Sequence, residues 1–349
     1  MAKALSAFGK SQDNIPVFFS AAYTYFCNYT MQNNLEGIGF DEVTDNSGTS
    51  YTVFRNNLQP RYPAVAFDIV KGYFFLFVTV GAIIFIDYFF HSFWWITIPV
   101  SSVLIGYIAA YLALFIHEAG HFNIHPDKKM NDRLATIFLC LPFGLSLKSY
   151  RKIHWQHHLH LGTPQDAEVS YFHAPTKLFV LETLTGIHLL RTMMRKEGND
   201  VLTKEQVKQS RMMLLGGTFL HLIILTAAFL TGNWPFAIAW LLGFGIFFPF
   251  FATIRQILEH RDELAHYSTD FYKQPHGKVS RLFVHTVLNS SFGSAGFTRH
   301  MIHHWDPQIS YTRLKDIEAF LSSSEKVAPI IKASKTTYTS VLKKLLAAS

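Results

Sequence analysis

FWWITIPVSSVLIGYIAAYLALFIHEAGH, residues Phe93–His121, is an apolar run that ends on two histidines four residues apart. From Phe93 to Ile116 it carries no charge, and it matches the ~20 residues a helix needs to cross ~30 Å of hydrocarbon. A continuous helix from Phe93 reaches His121 after 29 residues, about 43 Å along at 1.5 Å per residue. That overshoots the hydrocarbon by more than about 10 Å. His117 and His121 are therefore expected to emerge at the membrane surface on one helix face. His125 continues that face only if the helix persists, and Pro126 signals its end.

Three more runs have the same character: Tyr73–Phe90, broken only by Asp87, then Leu214–Thr231 and Trp234–Ile254. The chain is 49% hydrophobic and 16% charged, well below the ~25% charge of soluble proteins. The expected fold is an all-α integral membrane protein with four transmembrane helices in two hairpins and a cytoplasmic helical di-metal domain. The turns at His91-Ser92 and Gly232-Asn233 hold no Lys or Arg, so all 31 fall elsewhere. Positive charge marks the cytoplasmic side, which places both termini there, in a bacterial inner membrane or the endoplasmic reticulum. The expected divisions are 1–70 (cytoplasmic leader), 71–116 (first hairpin), 117–213 (cytoplasmic), 214–254 (second hairpin) and 255–349 (cytoplasmic). The net charge of +7 suits anionic lipid. Nucleic acid would leave the spans unexplained and is excluded as a partner.

Smaller signals fill in the rest. Residues 1–59 read as mixed and polar rather than as a signal peptide. Asp45-Asn46-Ser47-Gly48 reads as a loop, and Pro60 and Pro63 should stop any helix ahead of the membrane. The sequon at Asn28 would go unused in the cytoplasm, and Cys27 and Cys140 read as ordinary thiols of a reducing compartment. Leu134–Leu147 is too short to span and should lie at the interface. Leu178–Met194 reads as an amphipathic surface helix.

The histidines carry the chemistry. In His154-Trp155-Gln156-His157-His158-Leu159-His160, His157 and His158 follow His154 by three and four residues and share its helix face. His300, His303 and His304 repeat that spacing. With His117 and His121, eight of eighteen histidines fall in three clusters. One ion takes about four to six ligands, so two metals are implied. Counted from Trp234, a helix reaches His260 after 27 residues, about 40 Å along. His260 thus lies at nearly the depth of His121 and is a ninth candidate ligand, with Gln256 on its face, provided the helix runs past Pro249. Asp166 is placed to orient an imidazole through its second nitrogen. His221 reads as packing between helices; His188, His266, His276 and His285 read as surface or packing residues. His117-Glu118-Ala119-Gly120-His121 also fits a zinc protease with Glu118 as base, but that leaves the other two clusters unexplained. A metal transporter should hold its histidines at mid-membrane, not beyond it.

The groups His117-x3-His121, His154-x2-His157-His158 and His300-x2-His303-His304, in this order around four spans, resemble the three histidine boxes of the membrane fatty acid desaturase superfamily. The likeness runs from about Tyr73 to Leu314, including His158-Leu159-His160-Leu161-Gly162 and the trailing Pro307, Tyr311 and Leu314. His260 resembles the extra ligand that the family places after its fourth span. The chain departs in having Asp166-Ala167-Glu168 where many relatives have Asp-Pro-Asp. The resemblance implies two non-haem irons with O2 as co-substrate. It further implies a fatty acyl substrate (free, CoA-, carrier- or lipid-linked) and desaturation as the commonest outcome, with hydroxylation and alkene-forming decarboxylation as alternatives. There is no His-Pro-Gly-Gly haem motif, so electrons are expected from a separate ferredoxin or cytochrome b5 type donor with its reductase.

Overall fold

The computed structural model describes Leu35, residues 37–185, Ile187 and residues 202–348. Cys27, Asn28, His188 and the later half of the expected surface helix at 178–194 lie outside these residues. Among the described residues the regular structure is helical, apart from one two-residue parallel pairing of β1 (Leu282–Phe283) with β2 (Lys335–Thr336) and an isolated antiparallel bridge between Thr44 and Ser50.

Four helices are long and apolar enough to cross a membrane: Tyr62–Phe89, His91–Gly120, Lys204–Leu230 and Trp234–His260. A short helix, α1 (Tyr51–Asn56), precedes them. The first long helix, α2 (Tyr62–Phe89), begins some ten residues before the apolar run. Pro63 does not stop it but starts it, because a first-turn residue needs no N–H donor. Asp68 and Lys71 pair at 2.5 Å in this early stretch. Exposed Phe89, Phe90, Trp94 and Trp95 gather at its far end, as aromatic side chains do at a membrane interface.

The next helix, α3 (Trp94–Gly120), is the most buried of the four and packs between α2 and α8 (Trp234–His260). The approach is close enough to demand glycine: a Cβ on Gly106 would lie 2.3 Å from Phe247 Cβ. The α8 helix does run past Pro249. A π-helical turn at Gly243–Phe247 precedes the proline and relieves the clash its ring would make with the preceding turn. The α3 helix ends at Gly120, and Phe122 takes a left-handed φ of 62°. His125 therefore leaves the histidine face and bonds the loop at Asp127.

Between α3 and the third long helix, α7 (Lys204–Leu230), run α4 (Lys128–Ala135), a π turn at Thr136–Cys140, α5 (Leu147–His160) and α6 (Lys177–Leu184). Beyond α8 come α9 (Val287–Phe292), α10 (His300–Trp305), α11 (Leu314–Ser323), α12 (Ala328–Ala333) and α13 (Tyr338–Ala348). The Asp45–Gly48 stretch is a turn in which Asp45 Oδ1 accepts the Ser47 and Thr49 N–H groups. Tyr51 packs with Met301, Ile302, Ile317 and Phe320 in one core, so the segment before α2 is part of the folded body. Cys140 is a buried free thiol.

Candidate metal centre

Four chain segments converge where α3 and α8 end. The last turn of α3 supplies His117, and His121 caps that helix. The α5 helix, N-capped by Ser146, supplies His154, His157 and His158. His260 is the last residue of α8, and α10 supplies His300, His303 and His304. Two arginines hold these termini. Arg151 of α5 donates to the Gly120 and Ala119 carbonyls at 2.9 and 3.1 Å and is pinned by Asp132. Arg281 donates to the Leu258 and Arg261 carbonyls at 3.0 and 2.5 Å. Each guanidinium bonds carbonyls at the end of a helix, where intrahelical donors run out. The histidine-bearing ends are thus tied to neighbouring segments.

The histidines fall into two groups: His117, His121, His154, His158 and His303 in one, and His157, His260, His300 and His304 in the other. One nitrogen from each member lies within 4.8 Å of all the others in its group. All nine residues named by their spacing are brought together here, and none is left out. They are buried, with His158 and His304 somewhat less so.

The hydrogen bonds fix which nitrogen faces inward. His154 donates from Nδ1 to Glu168 Oε1 at 2.8 Å, His157 from Nδ1 to Asp166 at 2.9 Å, and His260 from Nδ1 to the Val279 carbonyl at 2.8 Å. A neutral imidazole that donates from Nδ1 presents only a lone pair at Nε2. Yet His154 Nε2 faces the Nε2 atoms of both His121 and His158 at 3.0 Å, and His158 Nε2 faces that of His303 at 3.2 Å. In the second group His300 Nε2 lies 2.8 Å from His260 Nε2 and 3.2 Å from His304 Nε2. One in-plane lone pair cannot bond two neighbours at once, whereas a cation can gather all of them. Imidazole nitrogens bind a first-row ion such as zinc at about 2.0–2.1 Å, so two at right angles stand about 3 Å apart. The side chains therefore fit metal ions, one per group.

Electrostatics point the same way. Burial holds His154, His158, His300, His303 and His304 well below the usual histidine range, and His121 falls to about 3. These rings stay neutral and available as donors. His157 is the exception. Burial pulls it down, but Asp166 and then Glu168 outweigh that and push it up to about 9.

A layer of acids and amides backs the rings. Asp166 also accepts from the Tyr171 hydroxyl at 2.5 Å and the Glu168 N–H at 2.8 Å. Gln256 does not face the imidazoles. Its Nε2 donates to Glu168 Oε2 at 2.9 Å while Ser170 bonds its oxygen, so it steadies the carboxylate that orients His154. Glu118 accepts the Tyr311 N–H at 3.2 Å and lies 3.4 Å from His117 Nδ1, which ties the first box to the chain after the third. Asp306, directly after α10, receives Arg55 at 2.6 Å and the Tyr51 hydroxyl at 2.9 Å.

Sequence reasoning did not single out Glu168, Arg151, Arg281 or Asp306. Only the proximity of Glu168 to the second box could have flagged it. His221 donates to or accepts from backbone and indole, with Nε2 2.8 Å from the Pro142 carbonyl and Nδ1 accepting Trp240 Nε1–H at 3.0 Å. His276 is packed among Tyr171, Phe172 and Phe271, while His266 and His285 are exposed.

The fatty acid desaturase family model matches residues 92–327, and the chain belongs to that family. It is an oxidoreductase family that uses a di-iron centre, a fatty acyl substrate and an electron donor. The matched span contains all three boxes, His260 and the acids that back them. No curated protein matches the chain.

Proposed function

We propose that the nine histidines hold two iron ions, five rings on one and four on the other, and that the chain desaturates a fatty acyl substrate with O2. The observation that carries this reading is the facing of Nε2 lone pairs in two separate groups, a repulsive arrangement without cations. Iron when bound supplies the one-electron chemistry and oxygen activation that an unactivated C–H bond requires. Zinc, which has no redox chemistry, does not. In balance, –CH2–CH2– gives up two hydrogens to become –CH=CH–. O2, with those hydrogens and two electrons and two protons from the donor, leaves as two waters.

The residues of this chain do the positioning. Asp166 and Glu168 hold the Nδ1 protons of His157 and His154, fixing tautomer and ring orientation. Tyr107, Leu114 and Phe251 line a small hollow between α3 and α8. The spans form two hairpins, with residues 71–116 and 214–254 in the membrane. Residues 1–70, 117–213 and 255–349 lie on the cytoplasmic side with both termini, where a ferredoxin or cytochrome b5 type donor docks. Against a protease, the Glu118 carboxylate is engaged by the Tyr311 N–H.

The experiment is metal analysis with product analysis. Purified protein should hold close to two irons per chain and, with a suitable reductase, yield an acyl product two hydrogens lighter with its carbon number intact. One zinc and no iron would overturn the reading. A product that gains oxygen would assign hydroxylation instead, and one carbon fewer would assign decarboxylation.

A further inference from the structure

The short helix α6 follows the second histidine box in sequence, yet the fold carries it along α8 and away from the histidines. It packs on the last stretch of α8, Phe248–His260, and on the π turn at Gly243–Phe247. Phe179 and Val180 join the core that holds Ile254, Ile257 and Leu258. The far end of α8 fixes how deep that turn lies. There Trp234 meets Trp94, with ring centroids 5.8 Å apart, where exposed Phe93, Trp94 and Trp95 mark a membrane edge. A hydrocarbon layer of ~30 Å takes about 20 residues at 1.5 Å each, so it reaches from Trp234 to near Ile254. Phe247 then lies about 10 Å inside the near edge, and Gly243 about 16 Å.

The surface of α6 suits that depth. Phe179 and Thr183 are buried against the protein, while Leu178, Leu181 and Leu184 are 64%, 59% and 39% exposed. Apolar side chains therefore cover both the inner and the outer face. A helix lying flat at an interface is apolar on one face and strongly charged on the other. One that is apolar all round belongs in a core or in a membrane, and no core covers the outward leucines among the described residues. The hydroxyls toward the inner end are satisfied within the chain's own turn. Thr183 donates to the Phe179 carbonyl at 2.7 Å and Thr185 to the Leu181 carbonyl at 2.8 Å, as a place without water requires. Between Lys177 and Arg191 the sequence holds a single charged residue, Glu182, and it is partnered.

We propose that α6 inserts into the cytoplasmic leaflet beside α8 and presents Leu178, Leu181 and Leu184 to lipid acyl chains. It enters from the cytoplasmic side, with exposed Lys177 at its outer end. It ends inside the leaflet rather than crossing, since Lys204 and Lys208 open α7 on that same side. The helix expected to lie on the surface is thus embedded, and residues 117–213 are not wholly cytoplasmic. This rests on the four spans crossing a membrane, as proposed above.

Photolabelling of the unaltered full chain in nanodiscs tests this. The probe is a phosphatidylcholine with a carbene-forming diazirine on its acyl chain, and mass spectrometry of the peptides locates the labelled side chains. With the diazirine near the methyl end, Leu184 should be labelled within about threefold of Phe219, an exposed side chain of α7. It should exceed Lys273, exposed in the loop after α8, by at least about tenfold, because acyl chains do not reach a loop in water. Moving the diazirine close to the glycerol should shift label from Leu184 towards Leu178. Labelling of Leu184 no greater than that of Lys273 overturns the proposal. So does a ratio of Leu178 to Leu184 that ignores the position of the diazirine, the result for a helix lying flat. If Phe219 and Leu184 both stay unlabelled, the spans themselves fail. If Phe219 is labelled and Leu184 is not, the spans stand and only the insertion of α6 fails.

Discussion

Asp166→Asn removes one charge and no volume, and the structure says which ion should feel it. The carboxylate accepts three donors: His157 Nδ1–H at 2.9 Å, the Tyr171 hydroxyl at 2.5 Å and the Glu168 N–H at 2.8 Å. An amide has one oxygen to offer, so its NH2 must face at least one of these donors. A buried donor left without an acceptor costs about 1–3 kcal/mol. Loss of a group that orients a metal-bound histidine typically weakens the metal by 10–100-fold, or about 1.4–2.7 kcal/mol, so the two figures agree. One effect opposes them. Asp166 helps to hold His157 near 9, and without it a proton competes less for that ring. A divalent ion loses more from a vanished negative charge than a proton does, so the sign stands. Chelator titration with elemental analysis should show one ion per chain released at 10–100-fold lower chelator, and the other within about threefold of its original position. His260→Ala already removes a ligand from the same group, so Asp166→Asn should add little to it. Release of both ions together, or fully additive losses with His260→Ala, would refute the division into five and four.

His260→Ala should lower both iron and turnover, whereas His266→Ala, exposed and bonded only to its own turn at Ser268, should change neither; full iron in the first variant would return the ligand count to eight. Gly106→Ala forces a methyl against the Phe247 backbone and should cost about 1–3 kcal/mol by overpacking, seen as a lower melting temperature with the α3–α8 contact disturbed. The metal-free protein should lose stability as pH falls below about 6.5. His121, His154, His158, His300, His303 and His304 have depressed folded values, so the unfolded chain binds more protons there and stability rises with pH up to that point. His157 acts oppositely, because its stabilisation is present below 6.5 and is lost as pH passes about 9; six groups against one set the direction, and a flat melting profile between pH 7.5 and 5 would contradict it. A tag between Gly232 and Pro235 should report the far side of the membrane and tags at both termini the cytoplasm, which a sugar on Asn28 in a eukaryotic host would disprove.

Four apolar helices, and nine histidines that the fold gathers, can be named from the sequence. Both follow from counting along one helix: apolar length sets what can cross a membrane, and spacing of three or four sets what shares a face. Box spacing also placed three histidines on α5 without saying how they divide. Only the tertiary structure sends His154 and His158 to one group and His157 to the other, because that depends on where α3, α8 and α10 approach α5. The start of α2 is not legible in the sequence, since a proline that ends one helix begins another equally well and only the chain after it decides. Glu168, Arg151, Arg281 and Asp306 were illegible for a different reason. Charged residues in polar loops are common, and their meaning lies in partners far along the chain: Asp306 takes Arg55 from 251 residues away. Arg255 stands four residues before Glu259, a spacing that puts both on one helix face. Its contact over the Phe297 ring exists only once α8 and the segment before α10 are packed together.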